Sequence, residues 1–263
     1  DSAAESKTAA LLILQGLEAR KDHPLYRTRG IDSPAIIAEE FVSGTEYSCD
    51  FIIENSSIKI IRLTRKIISS MSPFGTIMGY IIETVMPGDQ GELESILHRG
   101  ARALGISEAI CMADFMVNDG RIMLLEITPR PGGDCLPMLL QHALGIDILS
   151  LTIEFARRQS ITLNTHNSHP PAAGLRIIAA QGGILKHIDI SELEKDNRAR
   201  DIKILKHPGH LICMPPDDYD SWLLGHLVFH PDMDIDIKQQ SNDLISKIKV
   251  NIKLCSSLTK TTS

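Results

Sequence analysis

Two apolar-rich runs, residues 112–117 and 121–127, flank the turn sequence Asn118-Asp119-Gly120. Such runs on either side of an Asn/Asp-Gly turn predict a β-hairpin. Side chains alternate between the two faces of a strand, and Asp114 and Glu126 lie at similar distances from the turn. We therefore expect the two acids to project as neighbours from one face of paired strands.

Adjacent carboxylates repel each other unless a cation lies between them, and Mg²⁺ binds one or two carboxylates together with phosphate oxygens. The alternative is that both acids are solvated surface residues or salt-bridge partners. The apolar flanks favour a metal site, because buried acids are rare unless they are paired or metal-bound. Arg130 follows on a Pro-flanked, Gly-rich segment, which is either an ordinary loop or a place where its planar fork of donors holds a phosphate.

An acid on one strand, a Glu on the next, a polar residue two positions later and then an Arg resemble the ATP-grasp superfamily of carboxylate–amine ligases. The form Glu-Ile-Thr-Pro-Arg-Pro looks closest to the branch with formate-dependent phosphoribosylglycinamide formyltransferase, and to amino-acid ligases with a Pro-Arg-x-Gly-Gly loop. A second landmark of that family, Glu-Glu-Phe-Val followed by a Glu, lies about 70 residues upstream, at residues 39–46. Both landmarks in this order are more specific than either alone.

The resemblance implies an ATP-dependent ligase in which a substrate carboxylate attacks the γ-phosphate and an amine takes the resulting acyl phosphate. It implies ATP and Mg²⁺ as cofactors, and a small carboxylic acid or amino acid and an amine as substrates. In this sequence the implied roles are nucleotide binding by Glu39, Glu40, Val42, Glu46 and Leu125, metal binding by Asp114, Glu126 and Thr128, catalysis by Arg130, and substrate binding by Gly132, Gly133 and Asp134.

The chain also departs from the family pattern. Thr128 stands where most members have Asn, and residues 1–8 contain no Gly where a Gly-rich phosphate loop is expected. The strand with the phosphate-binding Lys and the N-terminal substrate domain are expected upstream of Asp1, so we expect a fragment or a trimmed product that works with that domain of the same protein. Two other functions stay open: a nucleotide-binding regulatory or degenerate module without catalysis, and a purine-pathway enzyme that transfers a formyl or carboxyl group.

Composition excludes some function classes. The net charge of −6 argues against a nucleic-acid-coating surface, and no apolar run has the length of a membrane span. The five cysteines are scattered without a CxxC pair, which favours reduced thiols and a cytoplasmic location. We expect neither nucleic acid nor a membrane as a partner, and the sequence is compatible with a homo-oligomer.

The order of apolar runs predicts an α+β fold, an ATP-grasp core with an antiparallel sheet flanked by helices. We expect an ATP-grasp domain over residues 1–160 with a truncated start, a polar linker over 161–172, and a small C-terminal α+β unit over 173–255. Within the first part, helical patterns cover residues 8–21, 91–104, 136–144 and 146–157, and strand-like runs cover 35–42, 47–54, 58–68 and 77–85.

Several further residues have two interpretations. The cations Arg62, Arg65 and Lys66 form either a solvent-facing basic edge or, in part, a contact to a ligand anion. Arg176, alone in an apolar strand, is either an ion-pair partner or an anchor for a substrate carboxylate. Cys135 has no His beside it in sequence and is interpreted as a packing residue. The ten histidines show no metal-binding spacing, so structural roles are expected for them.

Overall fold

The computed structural model describes residues 3–18, 39–69, 76–159, 161, 163, 170–215 and 217–254. The contacts divide the chain into two compact units, Asp1–Val42 and Ser43–Ser263. In the first unit, helix α1 spans Ala3–Glu18. The strand predicted over residues 35–42 is wrong in its described part, since residues 39–42 form no strand and three of these four are exposed. Residues 35–38 of that predicted strand lie outside the described residues.

The second unit contains the remaining elements. In chain order these are β1 (Thr45–Glu54), β2 (Ser57–Ile68), β3 (Ile77–Ile82), α2 (Gln90–Ala103), β4 (Ala109–Asn118), β5 (Arg121–Thr128), α3 (Leu136–Leu144), α4 (Ile148–Ala156), β6 (Ala173–Ile178), β7 (Gly183–Asp189), α5 (Ser191–Glu194), β8 (Ala199–Ile204), β9 (Leu211–Ile212), β10 (Leu223–Phe229), α6 (Ile237–Ser246) and β11 (Lys249–Lys253). The sequence did not predict α5, which is a single turn, or β11, whose exposed lysines alternate with only two half-buried apolar residues.

Two antiparallel sheets organise this unit, which confirms the α+β fold class. The larger has eight strands in the order β5-β4-β1-β2-β3-β6-β10-β8, and the smaller has the order β11-β7-β9. Strands β6, β10 and β8 come from the region expected as a separate C-terminal unit, and β6 joins the sheet by pairing with β3. The predicted division into residues 1–160, 161–172 and 173–255 stays a prediction about folding units.

Both faces of β1, β2 and β4 contribute side chains to buried clusters. Helix α2 packs Leu93 and Leu97 against a cluster that contains Cys49 and Phe51 of β1 and Phe115 of β4. Helices α3 and α4 pack in a second cluster on the other face, which contains Ile52 of β1 and Ile110 of β4. Because both faces are covered, β1 is buried along most of its length and does not show the alternation of a half-solvated strand.

Helices α3 and α4 form a bent pair. A left-handed Gly145 ends α3, and the Asp147 side chain accepts hydrogen bonds from two backbone amides at the start of α4. No single helix among the described residues is long and apolar enough to cross a bilayer, whereas α3 and α4, bent by 98°, reach that length and composition only together. Their buried side chains belong to the core cluster on one face of the large sheet.

Candidate active site

A β-bulge in the predicted hairpin places Glu126 opposite Asp114. From the turn, the strands pair Asn118 with Arg121 and continue in this register until Phe115 pairs with Leu124. The register then shifts by one residue, Leu125 is left unpaired, and Asp114 pairs with Glu126. The two acids are neighbours, as expected from the sequence. Their role as metal ligands stays a prediction.

Asp114 has one satisfied and one unsatisfied oxygen. Its Oδ2 accepts a hydrogen bond of 2.7 Å from the ammonium of Lys66, which also donates to Oε1 of Glu46 at 2.5 Å. Its Oδ1 is buried and has no hydrogen-bond partner among the described residues. An acceptor buried in this way is costly. The free oxygen therefore fits a cation or a donor brought by a ligand.

Glu126 is exposed and accepts a hydrogen bond of 2.6 Å from the Thr128 hydroxyl. The described part of the chain contains no group of three or more His, Cys, Asp and Glu side chains that could hold a metal by itself. Two carboxylates are nevertheless sufficient for Mg²⁺ when phosphate oxygens and water complete its octahedral shell. The donor set of Asp114, Glu126 and the Thr128 hydroxyl fits a magnesium ion that arrives with a nucleotide.

The loop after β5 carries the exposed Arg130. Its guanidinium donates to the carbonyl of Pro131 at 3.0 Å, and no described carboxylate forms an ion pair with it. The sheet anchors this loop, because the Gly132 amide donates a hydrogen bond to Oδ1 of the buried Asp50 at 2.7 Å. A Cβ added at Gly133 would have its nearest neighbour at 3.9 Å, so this residue has open space beside it. Arg130 is thus a free cation on an anchored loop.

The three cations of β2 have different partners. Arg62 is 2% exposed and forms an ion pair with Asp50, and Lys66 is 7% exposed and faces Asp114. Arg65 pairs with Glu83 at 2.7 Å. The interpretation as a solvent-facing basic edge is wrong for Arg62 and Lys66, because each has a carboxylate partner across the sheet that allows burial of its charge.

Asp134 closes the loop with two contacts to the C-terminal strands. The residue has a left-handed backbone, with φ 61. Its Oδ1 lies 2.8 Å from Nε2 of His226, and its Oδ2 lies 3.2 Å from Nε of Arg176. Arg176 is therefore an ion-pair partner here, and its guanidinium also lies over the ring of Trp222. Sequence reasoning missed His226, because 92 residues separate it from Asp134 and no local spacing marks it.

The predicted nucleotide residues are divided between the two units. Glu39 and Glu40 are exposed and Val42 is half-buried in the first unit. In the second unit, Glu46 faces Lys66, and Leu125, the bulge residue, is 46% exposed. Contacts of these five residues to adenine and ribose stay predictions.

Two buried side chains near the loop are held in their neutral forms. Burial raises the pKa of the Cys135 thiol well above its usual value, and the Asp134 carboxylate adds to this effect. Burial, and after it Asp134, raises the pKa of the Tyr80 hydroxyl in the same way. A thiol that is neutral and fully buried packs against its neighbours and is no nucleophile, which agrees with the interpretation of Cys135 as a packing residue.

Comparison with known proteins by sequence finds a family and two relatives. The family model described as "ATP-grasp domain" matches residues 4–138. The uncharacterized protein y4rH of Sinorhizobium fredii is 25% identical over 198 residues, which cover 74% of this chain and 40% of that protein. A D-alanine–D-alanine ligase of Aromatoleum aromaticum is 30% identical over 125 residues, which cover 45% of this chain and 40% of that protein.

Solved structures share the fold at lower identity. A phosphoribosylglycinamide synthetase from Anaerococcus prevotii superposes with a TM-score of 0.65 and 20% identity, over 81% of this chain and 55% of that one. An L-amino acid ligase from Bacillus licheniformis gives a TM-score of 0.65 and 17% identity, over 81% and 53%. The chain thus spans 40% of the two relatives matched by sequence and slightly more than half of these two solved chains.

Proposed function

This chain belongs to the ATP-grasp family, and on that premise we propose that it is the nucleotide- and magnesium-binding part of an ATP-dependent carboxylate–amine ligase. The substrate we propose is an amino acid or another small carboxylic acid, activated as an acyl phosphate before an amine attacks it. An amino-acid ligase among the structures that share the fold supports this substrate class.

The observation that carries the proposal is the pairing of Asp114 with Glu126 across a bulge, with one Asp114 oxygen that no described residue satisfies. These two acids and Thr128 would hold Mg²⁺. A bound Mg²⁺ would neutralise the negative charge that accumulates on the phosphate oxygens during transfer.

The other side chains of the site have roles that follow from their positions. Arg130 has no carboxylate partner among the described residues, and its guanidinium would bind the γ-phosphate and then the acyl phosphate. Lys66 balances the charges of Asp114 and Glu46, which keeps neighbouring carboxylates compatible before the nucleotide arrives. Positioning and charge neutralisation of this kind are most of what phosphoryl transfer requires of a protein.

The test is a screen of the full-length gene product for ADP release from Mg-ATP with amino acids, formate, bicarbonate and small amines. We expect one carboxylate and amine pair to stimulate ADP release, and Glu126→Gln to abolish it without loss of the fold. Glu54→Gln is the matched control, because this exposed Glu ends β1 away from the paired acids and its replacement should leave turnover unchanged. Normal turnover in Glu126→Gln would remove this residue from the metal site.

A nucleotide-binding module without catalysis is the second candidate function. The Lys66 ammonium already satisfies one oxygen of Asp114, so this acid has a partner even without a metal. ATP binding measured by calorimetry, without ADP release for any substrate pair, would favour the module over the ligase. Stimulation by formate or bicarbonate alone would favour the transfer of a formyl or carboxyl group.

A further inference from the structure

A buried ion pair lies beneath the loop that carries Arg130. Asp50 of β1 is 0% exposed and Arg62 of β2 is 2% exposed. The Arg62 Nε donates to Asp50 Oδ2 at 2.6 Å, and Nη2 donates to Oδ1 at 3.3 Å. Burying two charges carries a large desolvation penalty, which is offset only when good geometry and further hydrogen bonds accompany the pair. The remaining contacts of this pair join β1, β2 and the loop of residues 129–134.

Arg62 has no donor left for a ligand. Its Nη1 donates to the Ser48 carbonyl at 3.0 Å and to the Thr64 hydroxyl at 2.6 Å, and its Nη2 also donates to the Ser48 hydroxyl at 3.2 Å. With the two bonds to Asp50, all five N–H groups of the guanidinium are used. Ser48 is also the residue of β1 that pairs in register with Asp114. The guanidinium therefore ties β2 to β1, the strand that pairs with β4 of Asp114, and has no N–H left for a substrate.

The carboxylate of Asp50 also binds the loop that follows β5. Its Oδ1 accepts the hydrogen bond from the Gly132 amide, 82 residues away in sequence. The loop lies directly on the pair, since a Cβ added at Gly132 would be 2.5 Å from Nη2 of Arg62. Arg130 stands two residues before this anchor. The loop that carries Arg130 is thus anchored by a hydrogen bond to a buried carboxylate.

We infer that Asp50 and Arg62 are positioning residues, which hold the loop of residues 129–134 at a fixed place against β1 and β2, beside the strand pair that carries Asp114 and Glu126. The inference rests on the proposed function for its catalytic consequence, because Arg130 can act on a phosphate only if the loop holds it near the paired acids. A displacement of about 1 Å at a site of phosphoryl transfer can slow turnover by about a hundredfold.

The experiment replaces both charges together, because removing one would leave the other buried and unpaired. In Asp50→Leu/Arg62→Met the core stays filled, but the Gly132 amide loses its acceptor. The matched control is Arg65→Met/Glu83→Leu, which removes an ion pair from the same strand outside the loop's contacts. For both variants the measurements are hydrogen exchange of loop peptides covering residues 129–136, the Kd for ATP, and kcat for ADP release.

We expect the first variant to exchange its loop amides about tenfold faster than the parent protein, with the melting temperature showing that it is folded. Its kcat should fall about a hundredfold while its Kd for ATP changes by less than about threefold, because the loop acts on the transferred phosphate. The control variant should match the parent protein in loop exchange and kcat. If the first variant does not fold, Gly132→Ala, which keeps the ion pair and displaces the loop from it, should accelerate loop exchange in the same direction, with Gly133→Ala as its control.

Loop exchange equal to that of the parent in a folded variant would overturn the inference. So would an unchanged kcat in a variant whose loop exchanges faster. If the parent protein releases no ADP with any substrate, the proposed function fails, and the exchange experiment alone then decides whether the pair holds the loop.

Discussion

Gly132 and Gly133 are adjacent, yet the structure predicts opposite effects when each is replaced by Ala. A Cβ at Gly132 would lie 2.5 Å from Nη2 of Arg62 and 2.7 Å from Cδ1 of Leu136, both closer than real Cβ contacts allow. Arg62 cannot retreat without breaking hydrogen bonds, and Leu136 is 3% exposed at the start of α3. At Gly133 the nearest atom would be 3.9 Å away, and the backbone is not in the left-handed region.

The magnitudes follow from these two environments. Gly132→Ala either strains the packing or lifts the loop off Asp50, and overpacking and a lost hydrogen bond to a charge each cost about 1–3 kcal/mol. At about 2–4 °C per kcal/mol for a domain of this size, the melting temperature should fall by roughly 2–12 °C. Gly133→Ala should instead stabilise the fold by about 0.4–1 kcal/mol, because Ala restricts the unfolded chain.

The assay is urea unfolding of both variants under the same conditions, with midpoints compared at equal slope. Equal stability of Gly132→Ala and Gly133→Ala, within about 0.5 kcal/mol, would refute the reasoning, since surface substitutions without a packing cost fall within that range. The comparison is internal, because both changes add one methyl group to the same loop.

Lys66→Met should increase the stabilisation that Mg²⁺ confers in thermal unfolding, because Glu46 and Asp114 lose their only described cation. The control is Lys59→Met, which removes an exposed lysine of the same strand. An equal Mg²⁺ effect in the two variants would contradict this prediction. Asp147→Ala should lower the free energy of unfolding by about 1 kcal/mol in the urea assay, because it removes the side chain that caps α4. Hydrogen bonds from Ser150 lower the pKa of Asp147 below its ordinary value of 3.8, so the charged carboxylate stabilises the fold at pH values above 3.8. The difference in free energy of unfolding between the parent and Asp147→Ala should therefore close as the pH falls through the lower pKa of the folded state. Cys135 should resist a thiol reagent in the native protein and react only after unfolding, as peptide mapping would show, since burial keeps the thiol neutral and inaccessible.

The hairpin shows how far the sequence alone could go. The Asn118-Asp119-Gly120 turn predicted two paired strands and two neighbouring acids, and the structure contains both. A strict count from the turn would have placed Leu125 opposite Asp114, because Asn118 pairs with Arg121. The bulge that brings Glu126 into place has no signal in a single sequence, since one unpaired residue changes the register without changing the apolar pattern.

Helices with local signals were predicted closely for the same kind of reason. Helix α3 spans the predicted residues 136–144, and α2 begins and ends one residue before its predicted range. Local residues mark the ends of these helices: the Asp89 side chain caps the start of α2, and the left-handed Gly145 ends α3. The strand expected over 35–42 had no such signal, and its described residues do not form one.

The contacts that hold Lys66 and the Arg130 loop in the candidate site are long-range, which is why sequence reasoning could not reach them. Lys66 meets Asp114 across 48 residues, and Asp50 meets Gly132 across 82. Periodicity reports which face of a strand a side chain occupies, but not which strands are neighbours. The order β5-β4-β1-β2 supplies that information by placing Asp114 beside Ser48 and Ser48 beside Thr64, so that charged side chains from four strands share one face. A cation in an apolar strand is therefore best interpreted by asking which acid the sheet can bring opposite it, and for Lys66 the answer is an acid that also has an oxygen left for a ligand.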